Sequence, residues 1–254
     1  MLKTKMNKKK QVAIVTGGAK RVGAAICRML HKADVDLIIH YRNSKTEANS
    51  LQKQLNKIRK GSAAIIQADL LDPNSYSLII NEAIRIYGQL NFLINNASSY
   101  YPTNINDINE ANWNELTGTN LKASLFLSKT ASPFLKKSNG SIINITDAHI
   151  TNPKKNYIIY SIAKSGLAAL TKSLAQELGP EIRVNAVAPG PVLWPDKSIE
   201  FNETYRKKVI SQTMLKKVGD ADDIAKAVEF LLLNAPFITS HILNVDGGRS
   251  FNSE

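Results

Sequence analysis

Val12-Ala13-Ile14-Val15-Thr16-Gly17-Gly18-Ala19-Lys20-Arg21-Val22-Gly23 is an unbroken apolar run that breaks into a glycine-rich turn and then into a segment of helical period. An apolar run without alternation is the mark of a strand covered on both faces. A turn of this kind at the start of a helix points backbone N–H groups, aided by the helix dipole, at an anion such as a pyrophosphate. Gly17 allows the tight turn, and Gly23 lets the helix come close to the sheet. A plain strand-to-helix turn would use the same glycines, so the reading depends on what surrounds it.

Outward from this stretch the pattern repeats. Apolar runs at 12–16, 35–40, 63–68, 92–95, 141–146, 183–188 and 242–245 read as strands, and helical periods fall near 21–33, 45–59, 74–87, 112–135, 157–178 and 221–233. Asp72-Pro73 opens the third helix and Gly179-Pro180 stops the fifth. This alternation predicts parallel strands with right-handed crossovers: an α/β, doubly wound sheet of about seven strands with helices on both faces. The 254 residues form one predicted domain, 1–254, without repeat or linker. An irregular segment from Pro189 to about 196 leads into a polar helix near 199–211. It is placed to act as a lid over the carboxyl ends of the strands, the alternative being a plain surface insertion.

Composition excludes several classes. The chain is 43% hydrophobic, with 33 basic against 21 acidic residues and a net charge of +12. Part of the excess lies in Lys3, Lys5, Lys8, Lys9 and Lys10, read as a solvated, flexible tail over 1–10. No RRM, zinc-finger or leucine-zipper pattern accompanies the charge, so nucleic acid is not the expected partner. A basic surface equally suits anionic small molecules. Cys27 is the single cysteine, and His31, His40, His149 and His241 show no ligand spacing, so neither disulfide nor metal is expected. No secretory or membrane-length apolar run appears, and the expectation is a soluble cytoplasmic protein.

The second strand ends in His40-Tyr41-Arg42-Asn43-Ser44, with no carboxylate for a ribose hydroxyl. Arg42 can instead pair with a 2′-phosphate and Ser44 can donate to it, so the expected cofactor is NADPH. Arg21, at the helix start, suits the phosphates or the reacting centre, because the dipole would otherwise disfavour a cation there. Asp69-Leu70 after the third strand is placed to meet the adenine, although Asp69 also reads as a turn residue. Tyr160 and Lys164 lie four apart on one helical face. A tyrosine near pKa ~10 is a poor acid–base group at neutral pH, and an ammonium beside it favours its ionised form.

Together with Asn95-Asn96-Ala97 after the fourth strand, Asn120 and Pro189-Gly190, these motifs resemble the short-chain dehydrogenase/reductase family over nearly the whole chain. The resemblance implies that Val22, Asn96, Ala97 and Ser98 lie along the cofactor, that Pro189 and Gly190 face the nicotinamide, and that Asn120 holds a water serving Lys164. Thirteen residues before Tyr160, where the family carries serine, stands Asp147. A carboxylate only accepts hydrogen bonds and repels a developing oxyanion, so it suits a nitrogen heterocycle better than a carbonyl. The alternative is that Asp147 is a turn residue and Thr146 supplies the hydroxyl.

Arg21 in place of a glycine, Asp147 in place of serine, and Ser98-Ser99-Tyr100-Tyr101-Pro102 together resemble the pteridine reductase branch. That likeness implies reduction of a dihydropterin or dihydrofolate, with Tyr100 stacking on the ring and Ser98 and Arg21 meeting its polar edge. Tyr160 would be the acid, Asp147 would aid protonation, and Leu193 and Trp194 would touch the substrate tail. It also implies a homotetramer, with Arg249 near an interface and a neighbouring site. The branch usually has phenylalanine at the Tyr100 position, and its arginine after the second-strand tyrosine is displaced here by one place. The rival readings are a carbonyl reductase of 3-oxoacyl thioesters and a catalytically silent NADPH-binding or nucleic-acid-binding protein.

Overall fold

Seven parallel strands in the order β3-β2-β1-β4-β5-β6-β7 form one sheet in the computed structural model, which describes residues 10–150, 152–192 and 202–251. The strands are β1 Val12–Val15, β2 Asp36–Tyr41, β3 Ala63–Gln67, β4 Phe92–Asn95, β5 Ser141–Ile145, β6 Arg183–Pro189 and β7 Ile242–Val245. β1, β4 and β5 are buried along their whole length, which is why their sequences do not alternate.

The helices are α1 Arg21–Lys32, α2 Lys45–Ile58, α3 Asn74–Tyr87, α4 Glu110–Thr117, α5 Ala123–Lys137, α6 Ile158–Leu178, α7 Glu203–Ser211 and α8 Ala221–Glu229. Leu30 of α1, Leu51 of α2 and Ile224 of α8 close one face of the sheet. Ile79 of α3, Leu127 of α5 and Leu174 of α6 close the other. The chain order reverses between β1 and β4, leaving the crevice at their carboxyl ends where ligands of open α/β sheets bind.

Two predicted helices differ in detail. The one expected over 112–135 begins earlier, at Glu110, because Asn109 and Asn112 cap each other reciprocally. It also carries a wide π turn at Gly118–Lys122 between α4 and α5. The helix expected over 221–233 turns into a second π turn, Phe230–Asn234, after Glu229. Pro189 belongs to β6 rather than to the irregular segment, and Asn202 caps α7. Leu193, Trp194, most of the predicted lid's first half and Lys3 to Lys9 lie outside the described residues. Among the described residues no helix is long and apolar enough to cross a membrane.

Candidate active site

A cleft of about 690 Å³ opens at the β1/β4 reversal. One end is built by the first turn. Gly17 sits at φ 60°, and a Cβ on Gly23 would come 2.3 Å from the Gly17 carbonyl oxygen, so the contact of α1 with the turn requires glycine there. Asn96 fastens the turn by donating from Nδ2 to the carbonyls of Thr16 (2.8 Å) and Gly17 (3.2 Å). Thr16 Oγ1 in turn accepts from the amides of Asn96 and Ala97.

From the other side His40 Nδ1 accepts the Gly17 N–H at 3.1 Å, and Nε2 donates to the Ala68 carbonyl at 3.1 Å. Burial drives the His40 pKa down to about 4, so the ring is neutral and its tautomer is fixed by these two bonds. Arg21 occupies the left-handed region at φ 52°, where the family motif has glycine. That conformation costs a side-chain-bearing residue roughly 1 kcal/mol, and such strain gathers at functional sites.

This end fits a dinucleotide. The first turn of α1 holds no acidic residue and no side chain caps it, while Lys20, Arg21 and Arg42 all line the cleft. Val22 and Gly23 line it beside them, and Asp69 and Leu70 border it beyond β3. Asp69 also accepts the Leu71 amide at 3.0 Å, so it is both a turn residue and a wall of the cleft. Three expected cofactor residues, Tyr41, Asn43 and Ser44, do not line the cleft. The Tyr41 ring is buried against Ala19 and Ala48, and Ser44 occupies the position before α2. The alternation of a strand turns Tyr41 away from its neighbours His40 and Arg42.

At the reacting end, Asp147, Tyr160 and Lys164 converge with Ala97, Ser98, Tyr100, Pro189 and Gly190. Tyr160 Oη donates to Asp147 Oδ2 at 2.7 Å. Asp147 Oδ1 accepts two further bonds from His149, from its amide at 2.8 Å and from Nδ1 at 2.9 Å. Burial pushes the Asp147 pKa up, but the bonds and charge of His149 and the Tyr160 hydroxyl outweigh it, leaving the group below its ordinary value and ionised.

Burial, followed by the charge and hydrogen bond of Asp147, raises the Tyr160 pKa well above its ordinary value. Tyr160 is therefore held protonated. Lys164, expected to favour the ionised phenol, is not among the groups that set this shift. Lys164 Nζ donates to the Ile145 carbonyl at 2.8 Å and lies 5.8 Å from the Tyr160 ring centre. Burial lowers its own pKa to about 8 against the raising effect of Asp147. Thr146 cannot stand in for a catalytic hydroxyl as arranged, because its Oγ1 donates to the Val187 carbonyl.

Asn120 sits on the π turn and is not part of the cleft lining. Its Nδ2 donates to the carbonyls of Ser99 and Leu116, and its Oδ1 accepts the Ser98 hydroxyl at 2.7 Å. The wider turn therefore ties the loop after β4 to the helix, and the Ser98 hydroxyl is engaged by Asn120.

Tyr100 stacks on Tyr157 at 4.7 Å and meets Tyr160 edge-on at 4.8 Å. The Lys154 ammonium lies 4.2 Å from the Tyr157 ring centre and 5.4 Å from that of Tyr205 on α7. His149, Lys154, Tyr157 and Tyr205 were not expected from sequence. Tyr157 could have been found, since it lies three residues before Tyr160 at the start of the same helix. Tyr205 could not, because only the fold brings α7 to the cleft.

A Tyr–Asp–His set joined by hydrogen bonds lies beside this cleft on a doubly wound sheet, and the comparisons give the class. A family model described as enoyl-(acyl carrier protein) reductase matches residues 17–250. The chain belongs to the short-chain dehydrogenase/reductase family and is an oxidoreductase by fold and kinship. It is 32% identical to pteridine reductase 1 of Leishmania tarentolae, covering 94% of this chain and 96% of that one. It is 31% identical to the 3-oxoacyl-[acyl-carrier-protein] reductase FabG of Staphylococcus aureus, covering 93% and 96%. An uncharacterized oxidoreductase of Methylorubrum extorquens is also 31% identical, over 94% and 97%.

Proposed function

We propose that this chain is an NADPH-dependent reductase of dihydropterin and dihydrofolate rings. The observation that carries the reading is the 2.7 Å bond from Tyr160 Oη to an ionised Asp147. A carbonyl reductase must stabilise an oxyanion beside its tyrosine, and a fixed carboxylate there opposes it. A pterin instead presents N–H groups that a carboxylate accepts, and a C=N bond whose nitrogen needs a proton as its carbon is reduced. Bound NADPH supplies the hydride.

Tyr160, held neutral, donates the proton, and Asp147 orients that hydroxyl and the ring. Lys164 keeps a positive charge near the tyrosine. Tyr100 offers the flat face for the ring, Arg21 and Ser98 face its polar edge, and Arg42 selects the 2′-phosphate. Kinship to a pteridine reductase supports this reading. By the same resemblance the enzyme works as a homotetramer in the cytoplasm.

The test is NADPH oxidation with dihydrobiopterin, dihydrofolate and acetoacetyl thioesters. Dihydropterin or dihydrofolate should be reduced, and Asp147→Ser should lose about 100-fold in that rate, within the range of acid–base contributions. Turnover of the thioester alone, or undiminished pterin turnover by Asp147→Ser, would show the reading to be wrong.

A further inference from the structure

One wall of the cleft takes no part in the hydride and proton steps. Tyr157 meets Tyr160 edge-on with ring centres 6.5 Å apart, and Lys154 Nζ lies 4.2 Å from the centre of the Tyr157 ring. The same ammonium is 5.4 Å from the ring centre of Tyr205 on α7. Tyr157 is only 3% exposed and Tyr100 is stacked on it, so its ring is a fixed support for Lys154. Tyr205 is half-buried, and both it and Lys154 line the cleft.

α7 carries this wall further. Gln212, which caps the helix, accepts from Arg249 Nη2 at 3.1 Å, and Arg249 lines the cleft of its own chain. Lys154 and Arg249 thus meet α7 at points roughly 10 Å apart along its axis, at Tyr205 and at Gln212. Among the described residues only two carboxylates line the cleft: Asp69 lies at the cofactor end, and Asp147 is engaged by Tyr160 and His149. A neutral ligand laid over two cations strips water from them and returns no charge. A ligand with carboxylates at this wall pairs with both, and the concave cleft strengthens the attraction.

We infer that this wall is a subsite for an aromatic, anionic tail, which makes a conjugated folate the substrate in preference to an unconjugated pterin. The inference rests on the pterin reading and deepens it. With the pterin ring at Tyr100 and Tyr160, the p-aminobenzoyl ring runs along α7 beside Tyr205, a contact that aromatic faces favour. The glutamate carboxylates then meet Lys154 and Arg249. The dihydroxypropyl tail of a biopterin is short and neutral and offers neither cation a charge to pair with. Lys154 and Arg249 therefore determine specificity through binding and take no part in the chemistry.

The test compares dihydrofolate with dihydrobiopterin, each with NADPH, in wild type, Lys154→Gln, Arg249→Gln and the double variant. Gln keeps part of the apolar stem while removing the charge. The wild-type ratio of kcat/KM should favour dihydrofolate, and the double variant should lower that ratio at least about tenfold, through KM. Rising salt should lower the ratio in wild type and leave it flat in the double variant. Lys154→Arg should retain it. A wild type that prefers dihydrobiopterin overturns the inference. So does a ratio that the double variant leaves unmoved, since equal losses on both substrates would mean that Lys154 merely holds α7 in place. Binding is read separately, by ligand-observed NMR of p-aminobenzoylglutamate with the NADP+ complex: wild type should bind it and the double variant should not. If neither pterin is reduced, the pterin reading fails and this binding alone judges the subsite, whose loss follows if wild type does not bind the fragment.

Discussion

Arg42 stands just past β2 with its side chain on the wall of the cleft, while its carbonyl accepts from Gln67 Nε2 at 2.9 Å. Its backbone is thereby anchored at the edge of the cleft. In the proposed reading Arg42 pairs with the 2′-phosphate of NADPH. A charge-assisted bond of this kind is worth about 1.5–3 kcal/mol, so Arg42→Ala should cut the preference for NADPH over NADH at least about tenfold. The change should appear in KM for NADPH, with NADH kinetics little altered. An unchanged ratio of kcat/KM for the two cofactors would remove Arg42 from this role. At the same scale, the place of Asp147 was legible in its thirteen-residue spacing to Tyr160. Its ionised state was not, because that depends on burial set against the three bonds it accepts, and two of these come from His149.

The end of β2 and the first turn act as one unit through His40, whose ring bridges the Gly17 amide and the Ala68 carbonyl. Its pKa is lowered from 6.5 to about 4 by burial, so the folded chain refuses a proton that the unfolded chain accepts. Stability from this group is complete above pH 6.5 and is lost as pH falls toward 4, by about 3 kcal/mol in all. Urea unfolding compared at about pH 7.5 and about pH 4.5 should show His40→Gln losing less stability on acidification than wild type, by about 2–3 kcal/mol. Parallel pH dependence in the two proteins would contradict it. Element types were legible because buried parallel strands and long amphipathic helices leave clear periods. The π turn at Gly118–Lys122 was not, since no residue type there demands it. It is held by tertiary bonds from the Asn120 amide to the loop after β4.

Across the whole molecule, α4, α5 and α6 leave Trp113, Leu125, Ile158 and Ile162 exposed. Ile158 and Ile162 lie one turn apart on α6 and so share a side of it. Apolar exposure on neighbouring helices is the usual mark of a protein interface; it supports association of copies of this chain, and the proposal of four rests on the family resemblance alone. In sedimentation, the wild type should run at the mass of four chains and Ile162→Asp at that of fewer. A wild type that sediments as a single chain at micromolar concentration would end that proposal.

Sequence by itself determined the order of strands and helices, the nucleotide turn, and the Tyr160–Lys164–Asp147 triad of positions. Each of these is written in local spacing or in residue type. Only the tertiary structure decided what those groups do to one another: that Lys164 bonds a carbonyl of β5, that Tyr160 is held by Asp147, and that His149 joins them. Those outcomes turn on which oxygen lies within about 3 Å of which proton in a buried site, and no one-dimensional pattern carries that distance.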